Sequence, residues 1–337
     1  MAAGMRDVAA AASVSVGTVS NVLNAPHKVA PATVERVHAA IDKLGFVRND
    51  AARQLKARRS RCVALLVLDI GNPFFTDVAR GAERRAADFN LTVLFGTSDD
   101  DAGRERSYID TFDEQRVCGL LVSPVGDDLS RMLTLQSRGT PVVLVDRDAT
   151  GTPFSSVAVD DVAGGRLAAE HLCATGRRRL AFVGGPFALR QVKDRLRGAQ
   201  DAVAQCAGAA LEIITTTELS VLAGRAIGEQ LRERRPVDSP DAVFCANDLL
   251  AIGVLQALTL MGDLNVPRDI ALIGYDDIDF ARSAVVPLSS IRQPSTQIGT
   301  AAIDLLAAAS DENAPRHIVY QPELVVRAST AASKNLR

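Results

Sequence analysis

The sequence predicts an all-α head joined to a larger α/β body, and three observations carry that reading. Residues 1–60 hold three short helical patterns, the second opened by a good capping residue and the third closed by a glycine. From residue 62 the pattern changes to short apolar runs alternating with helical stretches. Charge divides at the same place. Residues 1–61 carry 10 Lys/Arg against 4 Asp/Glu, and residues 62–337 carry 28 against 36, so a head at +6 precedes a body at −8. A basic head on an acidic body points the head at a polyanion, the alternative being a solvated basic end. A length of 337 residues suits two or three units, and a hydrophobic share of 47% is enough for a large core.

The first helix is expected over residues 5–12, "MRDVAAAA", where alanine gives high propensity and Asp7 suits the positive end of the helix dipole. Ser13 and Val14 break it. Ser15 is a good N-cap for a second helix over residues 16–23. Val8 and Ala9 facing Val19, Val22 and Leu23 give the two helices an apolar seam. That seam turns Val16, Gly17, Ser20, Asn21 and Asn24 outward. A third helix follows Pro31, with Val34, Val37, Ile41 and Leu44 at helical spacing, and Gly45 ends it. Two short helices across a tight turn, packed on a third, form a helix-turn-helix unit whose second helix fits the DNA major groove. A generic three-helix module is the alternative. Against it, the exposed face is small and hydroxyl-bearing where a solvated face usually carries Glu and Lys.

Residues 50–56 read as one short helix followed by a basic linker, with Asn49 as its cap. Leu55 is a lone large apolar side chain among Arg53, Gln54, Lys56 and Arg58. A two-turn helix is marginal alone in water. Leu55 fits either a wedge between base steps in the minor groove or packing against the neighbouring domain.

In the body, runs such as "CVALLVLD" (62–69), "PVVLVDRD" (141–148), "DAVFCAND" (241–248) and "IALIGYDD" (270–277) are continuous apolar strands between helices. They predict parallel sheets covered by helices on both faces. Most runs end in a polar or small residue: Asp69, Asp99, Ser123, Asp146, Asp160, Gly184, Asn247 or Asp276. Ligands of open α/β sheets bind at the carboxyl ends of the strands, so two such sheets face to face line one cleft. Carboxylates and a guanidinium forking onto adjacent hydroxyls, with Phe74 and Phe75 against a ring, suit a sugar. For single residues a plainer role stays open: Asp69 and Asp99 as helix caps, Phe75 as core.

Several function classes find no support. There is no P-loop, no GxGxxG after a strand, and no Ser-His-Asp candidate among four histidines. Asp276–Asp277 is an acid pair without an accompanying nucleophile, so an enzyme is not expected. Five cysteines are scattered singly with no metal-ligand spacing, which implies buried thiols and neither a metal nor a cofactor. No secretory pattern opens the chain and no apolar run reaches spanning length, so no membrane is expected and the cytoplasm is the expected compartment.

In this order "DVAAAASVSVGTVSNVLN", "KVAPATVERVHAAIDKLGFVRN" and "AARQLKARRS" resemble the headpiece and hinge of the lactose-repressor (LacI/GalR) family of bacterial transcription factors. The motifs "NPFF" (72–75), "DRD" (146–148), "KDRLRG" (193–198), "CAND" (245–248) and "IGYDD" (273–277) resemble that family's periplasmic-binding-protein-like effector domain. The resemblance implies a headpiece at 1–48, a hinge helix and linker at 49–61, and a two-lobed effector and dimerisation domain at 62–330. Lobe 1 would take about 62–160 and 291–318, and lobe 2 about 161–290 and 319–330. It implies base reading by Val16, Gly17 and Asn21. Phosphate contacts fall to Ser15, Thr18, Ser20, Asn24, Lys28 and Thr33, and a minor-groove lever to Leu55 with Ala52 beside it. It places Phe74, Phe75, Asp146, Arg195, Asn247 and Asp276 on an effector, taken as a sugar inducer, with a purine corepressor as one alternative and Arg147 as its candidate bulk; the other alternative, a soluble sugar-binding protein of a transport system, is opposed by the presence of residues 1–60. The chain ends without the added Leu-heptad helix of some relatives, so a homodimer on a pseudo-palindromic double-stranded operator is expected. Ser13 departs from the Gly or Asn common at that turn, which implies slight strain.

Overall fold

The computed structural model describes residues 3–46, 60–260, 264–309 and 314–331. The expected hinge helix at 50–56, with Leu55 and Ala52, lies outside them. The chain divides into two units between Arg59 and Ser60. Ser60 and Arg61, grouped above with the linker, therefore belong to the second unit. Ser60 is buried, and the Arg61 carbonyl accepts from the Thr92 amide, which starts a sheet ladder.

The first unit has α1 (Met5–Ala11), α2 (Val16–Asn24), a 3₁₀ turn (Pro26–Lys28) and α3 (Pro31–Leu44). Its core is the expected seam: Val8, Ala9, Ala12, Val19, Val22, Val37 and Ala40. The turn between α1 and α2 places Ser13 at φ 52°, where a side chain is strained, as its departure from glycine implies. Gly45 ends α3 in the left-handed region at φ 57°.

The second unit begins with β1 (Cys62–Val67), α4 (Pro73–Asp88), β2 (Thr92–Thr97), α5 (Ala102–Glu114), β3 (Gly119–Val122), α6 (Ser130–Ser137), β4 (Val142–Val145) and β5 (Ser155–Val159). A second lobe follows: α7 (Asp161–Ala174), β6 (Arg179–Gly184), α8 (Arg190–Ala204), β7 (Ala210–Thr215), α9 (Val221–Glu233), β8 (Ala242–Cys245), α10 (Asp248–Leu260), β9 (Ala271–Asp276), α11 (Asp279–Ser283) and β10 (Ser289–Arg292). The chain then returns through α12 (Ser295–Ala308) and β11 (His317–Tyr320) to the first lobe and ends in the second with β12 (Glu323–Val325). The two six-stranded sheets run in the order β11-β5-β4-β3-β1-β2 and β12-β10-β9-β8-β6-β7. Successive β1 side chains serve opposite faces of the first sheet. Val63, Leu65 and Val67 enter one core, and Ala64 and Leu66 enter the other with Ile109, Phe112, Met132 and Leu135.

Two expectations are corrected. The second sheet is not wholly parallel, because β12 runs antiparallel to β10 at its edge. The lobe boundaries also move. Ile291 and Arg292 pair with Tyr275 and Asp276 in the second sheet, and Val319 and Tyr320 pair with Ala158 and Val159 in the first. The reason is local. Both later crossings are Gln-Pro steps, at 293–294 and 321–322, and proline cannot extend a ladder, so each strand runs almost up to its proline. Among the described residues no helix is long and apolar enough to cross a membrane.

Helix pairs flank both sheets at backbone contact. A Cβ on Gly165 of α7 would lie 1.9 Å from the Arg195 carbonyl of α8, and one on Gly198 would lie 1.9 Å from the Val162 carbonyl. Gly81 and Gly299 do the same for α4 and α12. The α7–α8 contact is the one that matters for the cleft, because it sets the start of α7 against Arg195. Gly165→Ala is expected to lose about 1–3 kcal/mol of stability in urea unfolding. Unchanged stability would show that the two backbones are free to separate.

Candidate functional site

In the first unit, the Ser15 hydroxyl accepts from the Thr18 amide at 3.0 Å and caps α2. The Ser15 and Thr18 hydroxyls lie 2.9 Å apart and share one further bond, so one of their two protons is left to point outward. Val16, Gly17 and Asn21 are all exposed, and Val16 keeps 40% of its surface. No other part of the headpiece covers the three positions expected to read bases. Asn21 is the one side chain of the three that can hydrogen-bond a base edge. Asn24, expected on a phosphate, spends its amide on its own helix, donating to the Ser20 carbonyl at 2.8 Å. Lys28 is exposed just beyond α2, and Thr33 is half-buried in the first turn of α3. The outward face of α2 is thus narrow and nearly uncharged, and a groove can take it up closely.

In the second unit a cavity of about 270 Å³ lies between the lobes, and Phe74, Phe75, Asp146, Arg195, Asn247 and Asp276 all line it. Parallel topology explains the convergence, since Asp146 follows β4, Asn247 follows β8 and Asp276 ends β9. Phe74 and Phe75 open α4, meet edge to face at 5.0 Å, and are core residues as well as cleft wall. Asn247 accepts from the Leu250 amide at 2.9 Å and donates to the Leu219 carbonyl at 3.2 Å, so it caps α10 while facing the cleft. Arg147 does not line the cavity. Its guanidinium donates to the Gly126 carbonyl and to Asp127, which removes it as bulk for a corepressor.

Arg195 is buried, and its Nε donates to Asp161 at 2.7 Å while Nη1 donates to the Ala246 carbonyl at 2.8 Å. Nη1 also lies 3.9 Å from Asp276, and the guanidinium stacks 3.8 Å from the Tyr275 ring centroid. Burial works against its charge, and Asp161, Tyr275, Asp276 and Asp146 more than reverse that, so its pKa is raised. Burial pushes Asp276 upward, opposed by Arg195 and by hydrogen bonds from Asn72 and Gln293. Burial and the Asp161 charge hold Asp146 well above the usual carboxylate range.

Four residues that hold the site's charged groups in place escaped the sequence reading, as did Asp100 on the cavity wall. Asp161 is the first residue of α7 and the buried partner of Arg195. Gln293, in a crossing, donates to Asp276 at 2.8 Å. Asn72 caps α4 and reaches across the cleft to donate to Asp276 at 2.9 Å. Gln191, on α8, reaches the other way to donate to the Asp146 carbonyl at 2.7 Å and Oδ2 at 3.0 Å. Asn72 lies inside the "NPFF" motif and could have been weighed there. The spacing of Gln191 carried no such signal.

Two outcomes test this electrostatic arrangement. Arg195→Ala leaves Asp161 and Asp276 buried without their cation and is expected to cost about 3–5 kcal/mol near neutral pH. A loss under 1 kcal/mol, read from denaturant midpoints, would mean that water already compensates them. Asp100, also on the cavity wall, is pushed up from 3.8 to about 6 by burial and by the Asp69 and Asp99 charges. A folded-state pKa above the unfolded value means that the charged form costs stability. That cost is absent below the ordinary value, grows as pH rises toward 6, and is complete above it. Asp100→Asn should therefore be the more stable protein at pH 8, by about 1 kcal/mol once solvent screening is allowed for, and should converge with the parent near pH 4. A pH-independent difference would contradict the shift.

Residues 4–49 match the family model for bacterial regulatory proteins of the lacI family, and residues 169–330 match the periplasmic binding protein-like domain. The chain is 37% identical over 304 residues to the ribose operon repressor of Bacillus subtilis (strain 168), covering 90% of both chains. Its fold is similar to that of the lac repressor dimer bound to operator and an anti-inducer, with a TM-score of 0.85 and 25% identity over 98% of this chain and 100% of that one. A LacI family transcriptional regulator from Enterococcus faecium with bound ribose matches at TM-score 0.72 and 27% identity, over 81% of this chain and all of that one. The headpiece, the two-lobed body and these likenesses agree: the chain belongs to the LacI family of DNA-binding transcriptional repressors, which are regulators and not enzymes.

Proposed function

We propose that this repressor is controlled by a free monosaccharide of pentose size, such as ribose, acting as inducer in the interlobe cleft. The observation that carries the reading is the cavity itself. At about 270 Å³ it is smaller than the pockets that take drug-sized ligands. It sets the Phe74–Phe75 wall opposite a buried guanidinium and the carboxylates Asp146 and Asp276, an arrangement suited to a small ring bearing several hydroxyls. The likeness to a ribose operon repressor and to a ribose-bound regulator supports the same ligand class.

In this reading two copies bring two headpieces to the halves of a pseudo-palindrome, and the dimer's symmetry sets the half-site spacing. Asn21 reads a base edge, Val16 touches a thymine methyl, and Gly17 lets the helix approach closely. Ser15, Thr18, Ser20, Asn24, Lys28 and Thr33 face the backbone. Leu55, with Ala52 beside it, opens a central step from the minor groove. Sugar binding changes how the lobes sit on one another, and the change alters operator affinity by a few kcal/mol at most. The protein works in the cytoplasm, where its operator is.

Selection of genomic fragments by the purified full chain, with and without D-ribose, tests this. Palindromic fragments should be enriched without sugar and lost with it. Fragments that are enriched only when a small molecule is added would replace the inducer by a corepressor. Asn21→Ala should cost about 1–3 kcal/mol of operator affinity and relax one base position. Leu55→Ala should weaken operator binding while sugar binding persists, and unchanged operator affinity would remove the wedge.

A further inference from the structure

The walls of the cleft hold an imbalance between hydrogen-bond donors and acceptors. Gln191 donates through Nε2 to both the Asp146 carbonyl and Asp146 Oδ2. That geometry fixes the amide's orientation, because the flipped form would set Oε1 against two acceptors. Oε1 is therefore the end left over, and it is buried with no partner. Asp146 Oδ1 is in the same condition. Both side chains belong to residues more than nine-tenths buried, at 6% and 4% exposure, and both residues line the cavity. A third cavity-lining residue, Asp100, also carries a buried oxygen, Oδ1, without a partner. The unpartnered atoms of Gln191 and Asp100 are acceptors, and no cavity-lining nitrogen among the described residues is buried without a partner.

The charges agree with this. Six acidic side chains line the cavity, from Asp69, Asp99, Asp100, Asp146, Glu218 and Asp276, and Arg195 is the one cation among the described lining residues. Arg195 already donates to Asp161 and the Ala246 carbonyl. A phosphate or carboxylate entering here would meet several like charges and no uncommitted cation. A hydroxyl meets what it needs, since a buried acceptor left without a donor has lost its bond to water and gained none in return.

We infer that the cleft selects its ligand by hydrogen-bond donors, with Gln191 and Asp100 as specificity residues that admit an unphosphorylated polyhydroxyl sugar and refuse its phosphate ester. This rests on the sugar reading above and narrows it. Gln191 acts twice, holding Asp146 in place through Nε2 and offering Oε1 to a ligand hydroxyl. Asp100 supplies a second acceptor and, with Asp69 and Asp99, the negative field that repels a phosphate. Asp100 is kept as a carboxyl although burial beside two acids pushes it up to about 6. A residue held at that cost in stability is more readily explained by a ligand than by the fold.

Titration calorimetry of the full chain with D-ribose and D-ribose 5-phosphate at pH 7.5 is the test. The parent should bind ribose at least about 100-fold more tightly than the phosphate ester, a gap of ~2.7 kcal/mol. Gln191→Leu should weaken ribose at least about tenfold. Asp100→Asn should narrow the ratio between the two ligands about tenfold by favouring the ester. A ratio is chosen because a merely structural defect lowers both affinities together. Binding of the ester as tightly as ribose overturns the inference and leaves the sugar reading standing. Binding of neither ligand overturns both. An unchanged ratio in Asp100→Asn, or unchanged ribose affinity in Gln191→Leu, removes that residue from the assignment.

Discussion

The cleft is organised around one buried cation. The Arg195 guanidinium sits out of water with Asp161, Asp276 and Asp146 around it and the Tyr275 ring against its face. Desolvating a charge is costly, and its partners recover that cost only when the geometry is close. Here closeness comes from glycine. Gly165 and Gly198 let α7 and α8 meet at their backbones, and this brings Asp161, the first residue of α7, within 2.7 Å of Arg195 Nε. With Asp161 held there, Arg195 also reaches the Ala246 carbonyl beside Asn247 and lies near Asp276 at the end of β9. One helix–helix contact thus seats the cation beside Asn247 and Asp276, which the strand ends position.

Two residue pairs then join the lobes by hydrogen bonds, both between residues that line the cleft. Asn72 in the first lobe donates to Asp276 in the second, and Gln191 in the second donates to Asp146 in the first. They run in opposite directions, so each lobe supplies one donor and one acceptor. Behind them, among the described residues, the chain crosses at 160, at 293–294 and at 321–322. A ligand engaging Asp146 and Asp276 competes with, or adds to, the bonds that hold the lobes together. Ligand chemistry and lobe geometry are therefore governed by the same atoms, which is the differential contact that a conformational switch requires.

The sequence made the first unit legible almost residue by residue. Helix ends there depend on local chemistry, and Ser15, Pro31 and Gly45 act within a turn of where they stand. The strands of the body were legible for a similar reason, as continuous apolar runs mark parallel strands covered on both faces. Polar residues at strand ends showed where a cleft lies, and Asp146, Asn247 and Asp276 were found that way. Asp161 and Gln191 were not. Asp161 opens a helix and reads as an ordinary N-terminal acid, and Gln191 lies in a helical stretch with no strand end to mark it. Both derive their roles from long-range packing, Asp161 from a glycine contact between helices and Gln191 from the approach of the other lobe. The antiparallel β12 was missed because three residues, Glu323–Val325, carry too little pattern to give a direction.

The headpiece's modest chemistry fits its place in a switched protein. The outward face of α2 offers one free amide side chain, two small or apolar residues and a few hydroxyls, and Asn24 is held by its own helix. Such a face docks closely but gains little from any single contact, so operator affinity must draw on the basic residues near 48–61 and on two headpieces acting together. A headpiece that bound tightly by itself would be insensitive to the state of the body. Linkage makes the dependence reciprocal. If the sugar lowers operator affinity by some factor, the operator lowers sugar affinity by the same factor, because both ligands bias one equilibrium. The carboxylates and amides that cross the cleft therefore limit how far the sugar can shift operator binding. In the proposed reading, a wall of unpartnered acceptors gains most when a donor-rich ligand arrives, and that shift is large for the right sugar and small for its phosphate.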